Sequence, residues 1–367
     1  VKLNLDPCHR MSGELLTVIA RVVTSEWYIR GPEFDAFNAE FAASIDPRAH
    51  AVGVGSGTDA LYLILRAAGI GPGDEVISPA MNVAYTALAI ANVGATPIFA
   101  DVDPATLTLD PSAAAAAITP RTKALIPVHL YGYMADMRAL AEIAQRHALL
   151  LIEDACQAHG ATLDSRAAGA WGDAAAFSFY PTKNLGAFGD GGAVVSRDAA
   201  LIERISQLAD GGRSDRYEHA EVGINSSLDE LQAAVLRVKL SYLSDSTTTR
   251  RALASRYTEA FEGSPLQLPA ELPGYRHVYH LYAARSQQRD DLRMRLAEHD
   301  IPTLIHYPIP VHLQPCFASL GGRVGQHPVA ERAAQTLLSL PLHPELTYDD
   351  QQRVITTTLA EVAASAH

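Results

Sequence analysis

The chain has 367 residues, 48% of them hydrophobic, a length beyond which a single core stops growing, so a large domain joined to a smaller one is predicted. Its formal net charge of −12 at pH 7 excludes broad nucleic-acid binding, which needs a basic surface, but leaves room for a small anion held by a local cluster of donors. No window approaches the ~18 consecutive apolar residues of a membrane span, and three cysteines, Cys8, Cys156 and Cys316, are too few and too scattered for a disulfide framework.

At the N-terminus, Val1 to Asp6 shows no basic stretch ahead of an apolar run, so a cytoplasmic location is expected. From about residue 50 to 200, short apolar runs alternate with amphipathic segments, the pattern of an α/β domain with a mostly parallel sheet covered by helices. Strands are expected at Ala51–Val54, Glu75–Ser78, Pro97–Ala100, Ala124–Val128, Leu149–Ile152, Ala175–Phe179 and Ala193–Ser196. Between them, helices are expected at Thr58–Ala68, Ala84–Asn92, Pro111–Ile118 and Met134–His147. The pattern turns helical through Leu228–Leu240, and a helix from Ser246 to Phe261 leads into a second domain. That domain reads as α+β, with strands near Val278–Arg285 and Thr303–His306 and helices near Asp290–His299, Val329–Leu338 and Asp349–Ala364. The division expected is a large domain over residues 1–245 and a small one over 246–367.

Three segments of the first domain carry chemistry. Gly53-Val54-Gly55-Ser56-Gly57-Thr58 leaves a strand and opens a helix, where unpaired amides and little side-chain bulk make an anion site. Alone, it is equally an ordinary capped strand-to-helix turn, and the absence of a following Gly-Lys-Ser/Thr excludes a Walker-type loop. The apolar run Leu149–Ile152 ends in Glu153-Asp154, so two carboxylates reach the C-terminal edge of a strand, where open α/β sheets bind ligands. Side chains alternate along a strand, so one of the two is expected to face the site; helix capping by Asp154 is the plainer alternative. In Ser178-Phe179-Tyr180-Pro181-Thr182-Lys183-Asn184-Leu185-Gly186, a lysine sits on a turn before a glycine-rich stretch. Partly desolvated and near cationic groups, such a lysine would lose enough basicity to form a Schiff base, although an isolated loop lysine is more often a solvated charge. The chain has only four lysines, Lys2, Lys123, Lys183 and Lys239, which narrows the search.

Together, Glu153-Asp154-Ala155-Cys156-Gln157-Ala158-His159-Gly160 and Ser178 to Gly186 resemble the DegT/DnrJ/EryC1/StrS family of sugar aminotransferases, with further likeness from Trp27-Tyr28-Ile29-Arg30-Gly31-Pro32 to Leu338–Leu346. The resemblance implies the pyridoxal-phosphate-dependent fold type I, with a mostly parallel seven-stranded sheet in the large domain. It implies pyridoxal 5'-phosphate held by Lys183 as a Schiff base, with Asp154 paired to the pyridinium nitrogen. It further implies Gln157 against the phenolic oxygen, Gly57, Thr58 and Ser178 on the phosphate, and Asn225 reaching the phosphate of a neighbouring subunit, hence a homodimer with shared sites. An Asp partner to the ring nitrogen deepens the electron sink that transamination requires, and a displaced lysine is placed to carry a proton.

The sequence also departs from the family pattern. Val83 stands where an aromatic usually covers the ring, with Tyr85 two residues on, while Ala209 and Ser227 stand where arginines are usual. Arg213 or Arg216 is expected to supply the missing charge. His306-Tyr307-Pro308-Ile309-Pro310-Val311-His312 resembles the subgroup acting on nucleotide-linked 3-keto sugars. His129 and Tyr131 follow a strand end, which makes them candidates for the substrate side, with a satisfied core histidine as the near-equal alternative for His129. The resulting expectation is an aminotransferase moving an amino group from glutamate or glutamine to a keto sugar, with a keto-cyclitol as the alternative acceptor and a non-catalytic regulatory protein of the same fold as a further one. The histidines are too dispersed to predict a metal.

Overall fold

Short runs of four or five residues, most of them rich in Val, Ile, Leu and Ala, are the local cause of the central sheet. A computed structural model describes residues 9–364; the N-terminal stretch Val1–Asp6 and Cys8 lie outside them. The sheet strands, in chain order, are β1 (His50–Val54), β2 (Glu75–Pro79), β3 (Thr96–Ala100), β4 (Thr122–Leu125), β5 (Leu150–Asp154), β6 (Ala174–Ser178) and β7 (Gly192–Ser196). They form a seven-stranded sheet in the order β1-β7-β6-β5-β4-β2-β3. Only β7 runs antiparallel, and it pairs in that sense with both β1 and β6. The fold is the expected α/β architecture.

The C-terminal ends of the parallel strands therefore share one edge, and the chemistry-bearing segments leave from there. After β1 comes α1 (Gly57–Ala67), and after β2 comes α2 (Tyr85–Asn92). Gly192 at the start of β7 makes this crowding possible: a Cβ there would stand 2.4 Å from the carbonyl carbon of Ser56, so no other residue lets the turn after β1 lie across the strand.

Two helices before the sheet, at Ser12–Ser25 and Pro32–Ile45, were not foreseen. The amides of Gly31, Glu33 and Phe34 opening the second donate to the carboxylate of Glu230 at 2.7, 2.9 and 2.8 Å, an N-terminal cap supplied from 196 or more residues away.

Beyond the sheet, the expected helices Leu228–Leu240 and Ser246–Phe261 are one continuous 32-residue helix, α3 (Glu230–Phe261). The boundary expected at 245/246 thus falls inside a helix. Its first half packs on the main core through Ala233 and Leu236, and its last turns enter a second core with Ala254, Tyr257 and Phe261. In that second region, Tyr282–Arg285 pairs antiparallel with Leu337–Leu340. The latter corrects the helix expected to Leu338, which ends at Thr336, and the strand expected near Thr303–His306 is a single bridge between Leu304 and Ser339. Among the described residues no helix is long and apolar enough to cross a membrane.

Candidate active site

The shared strand edge opens on a cavity of about 770 Å³ whose walls include Gly57, Thr58, Val83, Tyr85, Asp154, Gln157, Ser178, Lys183 and Tyr307. The turn after β1 builds its anion-binding wall. Ser56 caps α1 by accepting from the Asp59 amide at 3.1 Å, which leaves the first helical amides, Gly57 and Thr58, facing the cavity they line. A Cβ on Gly57 would stand 2.7 Å from Cys156 Sγ and 2.8 Å from Ser178 Cβ, so the helix start sits directly on the ends of β5 and β6. Ser226 stabilises the turn: its hydroxyl donates to Asp59 Oδ2 at 2.7 Å and accepts from the Gly55 amide at 2.8 Å. Sequence reasoning passed over Ser226 because two equally plausible polar neighbours, Asn225 and Ser227, flank it.

The alternation rule sorts the two carboxylates. Glu153 is fully buried on the far face, its Oε1 accepting from the amides of Trp171 and Gly172 at 2.7 and 2.8 Å and its Oε2 from Gly169 at 2.8 Å, with His129 Nε2 at 2.9 Å. Burial opposes its ionisation, but His129 and these amides outweigh it and hold the carboxyl below its ordinary range. Asp154 faces the cavity. Its Oδ2 accepts from Thr86 Oγ1 at 2.5 Å, and Thr86 in turn accepts from Asn82 Nδ2 at 2.7 Å. This relay from the β2–α2 loop orients the carboxylate, and only the folded chain brings residues 68 positions apart together.

Glu153→Gln is expected to cost about 3–5 kcal/mol of stability, because an amide nitrogen replaces an acceptor oxygen facing buried N–H donors. Equilibrium denaturant unfolding checks this, and a midpoint equal to the parent's would contradict the structural role given to Glu153.

Lys183 extends from the turn after β6, with its own amide donating to Tyr180 O at 2.8 Å. Burial lowers its basicity, while nearby Cys156 and Asp154 act in the opposite direction. The expected cationic neighbours are therefore not the cause. The buried imidazoles beside it are held neutral: burial and the Lys183 charge push His159 down to about 3 and His306 down to about 4. The Cys156 thiol under Gly57 is pushed well up, chiefly by burial, which makes it packing rather than a nucleophile.

Gln157 is oriented by the backbone. Its Oε1 accepts from the Tyr131 amide at 2.7 Å, which turns Nε2 to donate toward the Tyr307 hydroxyl at 3.1 Å. The remaining expected substrate residues are placed unevenly. Val83 and Tyr85 line the cavity, and Tyr85 is largely exposed at its rim. His129 does not: it is sealed in the core against Glu153, so the histidine expected on the substrate side is instead a structural partner. Tyr131 is also enclosed, its hydroxyl donating to His306 O, and His306 Nδ1 lies 2.9 Å from Ser339 Oγ. Arg213 pairs with Asp210, and Arg216 lies over the ring of its neighbour Tyr217. Neither arginine reaches the cavity wall within one chain, nor do Asn225 and Ser227. Ala209 is closed inside the main core.

An anion-binding helix start, an oriented carboxylate and a desolvated lysine at one strand edge define a site for a phosphorylated carbonyl cofactor. Residues 10–358 match the model of the DegT/DnrJ/EryC1/StrS aminotransferase family, and the chain belongs to that family. A dTDP-3-amino-3,4,6-trideoxy-alpha-D-glucose transaminase of Streptomyces venezuelae is 49% identical over 346 residues, covering 94% of this chain and 91% of that protein. A pleiotropic regulatory protein of Geobacillus stearothermophilus is 46% identical over 349 residues, 94% of each. Among solved structures, S. venezuelae DesV in complex with a ketimine intermediate superposes with a TM-score of 0.94 at 47% identity, covering 98% of each chain.

Proposed function

We propose that this aminotransferase uses pyridoxal 5'-phosphate to take an amino group from L-glutamate or glutamine and pass it to a nucleotide-linked keto sugar. The observation that carries this reading is the convergence of Lys183, Asp154 and the Gly57–Thr58 helix start on one cavity, while Glu153 is turned away and fully bonded. When bound, the cofactor supplies the electron sink for a carbanion at the amino carbon. Asp154, fixed by Thr86, holds the proton on the ring nitrogen. Gln157 presents a donor to the phenolic oxygen, and Gly57, Thr58 and Ser178 bind the phosphate. Lys183 would hold the cofactor through its amine, and as a free amine of lowered basicity it would be placed to take up and return the proton at the substrate's amino carbon.

Asn225 is exposed and away from its own chain's cavity, which fits a residue completing a partner's phosphate site in a cytoplasmic homodimer. Tyr85, Val83, His306, Tyr307 and the arginines Arg213 and Arg216 are assigned to the substrate side, with the arginines acting from the partner subunit.

The test is a panel of nucleotide-linked 3-keto sugars and keto-cyclitols offered to the protein loaded with pyridoxamine phosphate. Return of the aldehyde form's visible band with a nucleotide-linked keto sugar is expected. A response to cyclitols alone would assign the alternative acceptor. The name of the Geobacillus relative favours one second reading, a protein that binds the cofactor for regulation without turnover, and no response to any ketone would support it.

A further inference from the structure

Lys183 is followed by Asn184, a buried side chain that is not part of the cavity wall and reaches the segment crossing between the two cores. Its Nδ2 donates to Val278 O at 3.1 Å, and its Oδ1 lies 3.3 Å from His280 Nδ1. The first bond assigns the amide's orientation, and an amide oxygen can only accept, so His280 must carry its proton on Nδ1. Burial, assisted by Lys183, holds His280 well below its ordinary value, which keeps the ring in that neutral, donating form.

The segment held by Asn184, like α3, passes between the two cores. Val278 belongs to the main core and donates its amide to Gly132 O at 3.1 Å, whereas Tyr279 and Tyr282 belong to the second core. A Cβ on Gly132 would stand 2.9 Å from the His280 nitrogen, so the crossing is packed tightly against the loop that also orients Gln157. On its other side, the lysine loop is pinned by α3, where Lys239 Nζ donates to Gly186 O at 2.6 Å.

We infer that Asn184 and His280 are a positioning pair for Lys183, fixing the backbone beside the reactive amine to the segment that crosses between the two cores. The inference rests on the reading of Lys183 as the amine that carries the chemistry. Neither side chain touches the cavity, so the pair acts by setting where the lysine begins its reach. A displacement of about 1 Å at a reacting group costs as much as a hundredfold in rate. The arrangement also makes the placement of the small domain, which carries His306 and Tyr307, felt at the lysine.

Four variants test the pair: Asn184→Ala, His280→Leu, His280→Asn and the double variant Asn184→Ala/His280→Leu. Each is measured as holoenzyme for the single-turnover rate with L-glutamate, for the apparent glutamate affinity, for the pH midpoint of the visible cofactor band, and for thermal midpoint. Asn184→Ala and His280→Leu are expected to slow the single-turnover rate by about tenfold or more with apparent affinity within about threefold, and to shift the spectral midpoint. The amide of His280→Asn replaces the Nδ1–H donor and should restore both readouts. The double variant should be no worse than the poorer single variant, because the two residues act as one unit.

An unchanged spectral midpoint and rate in Asn184→Ala overturns the pair, as does a loss of thermal stability alone. Should Asn184→Ala fail to fold, the His280→Leu and His280→Asn comparison decides, and equal behaviour of those two overturns it. Borohydride labelling of the parent protein separates the two levels. Label away from Lys183 removes the underlying reading, while label on Lys183 with silent variants removes only the positioning role.

Discussion

Asp154→Asn lowers turnover by about two to four orders of magnitude while leaving the fold intact. The substitution keeps the shape of the side chain but removes the charge that, in the proposed function, holds a proton on the ring nitrogen. Deleting one member of a buried charge pair costs about 3–5 kcal/mol, and each 1.36 kcal/mol is a decade in rate. Stability should change little, since the Asp154 carboxylate is bonded locally, by the Thr86 hydroxyl and by the amide and thiol of Cys156. Steady-state kinetics beside thermal unfolding checks this. A variant within tenfold of the parent would mean that the carboxylate is not the ring partner. The contrast with Glu153→Gln is diagnostic, because two adjacent acids on opposite faces of β5 should lose different properties, one turnover and the other stability.

Lys183→Ala has the larger effect on activity. General acid–base transfer alone is worth about 10²–10⁴ in rate, and in the proposed function the same amine also anchors the cofactor, so a loss at or beyond about 10⁴ is expected. The variant should still retain cofactor through the helix start at Gly57 and Thr58, because those contacts do not involve the lysine. Rate measurements with cofactor content determined on the same samples check this. Substantial turnover by a cofactor-loaded Lys183→Ala protein would refute the proton-carrying role.

The site was legible where its residues follow from local pattern. Apolar strands predicted the shared edge, and the glycine-rich turn, the Glu-Asp pair and the Pro-Thr-Lys turn each leave from it. Period-two alternation predicted that only one acid faces inward, and the bonding of Glu153 shows which one is turned away. What stayed hidden depends on contacts between distant segments. The Asn82–Thr86–Asp154 relay, the Ser226 brace and the Glu230 cap have no local signature, since a buried polar residue is recognisable only by its partner. His129 reads the same whether it faces ligand or core, and its distance to Glu153 decides the matter.

In the fold, α3 reads as two helices in the sequence because Ser244 to Thr249 is wholly polar, which interrupts the apolar periodicity where the helix passes between the two cores. The segment near Leu337 was assigned to the preceding helix because Ala333, Ala334, Leu337 and Leu338 keep helical spacing, and pairing with Tyr282–Arg285 draws the last two into a strand. Of the two early helices, Ser12–Ser25 carries Leu15, Val18 and Val22 at helical spacing and was legible, whereas Pro32–Ile45 is weakly patterned and is held by long-range contacts that include the Glu230 cap.

The most direct measurement is borohydride reduction of the holoprotein followed by peptide mapping. Few amines compete: among the described lysines, Lys123 is exposed and Lys239 is bonded to Gly186 O. The account predicts that the reduced cofactor is found on the peptide containing Lys183. Recovery of the label on Lys123 or Lys239 would contradict it.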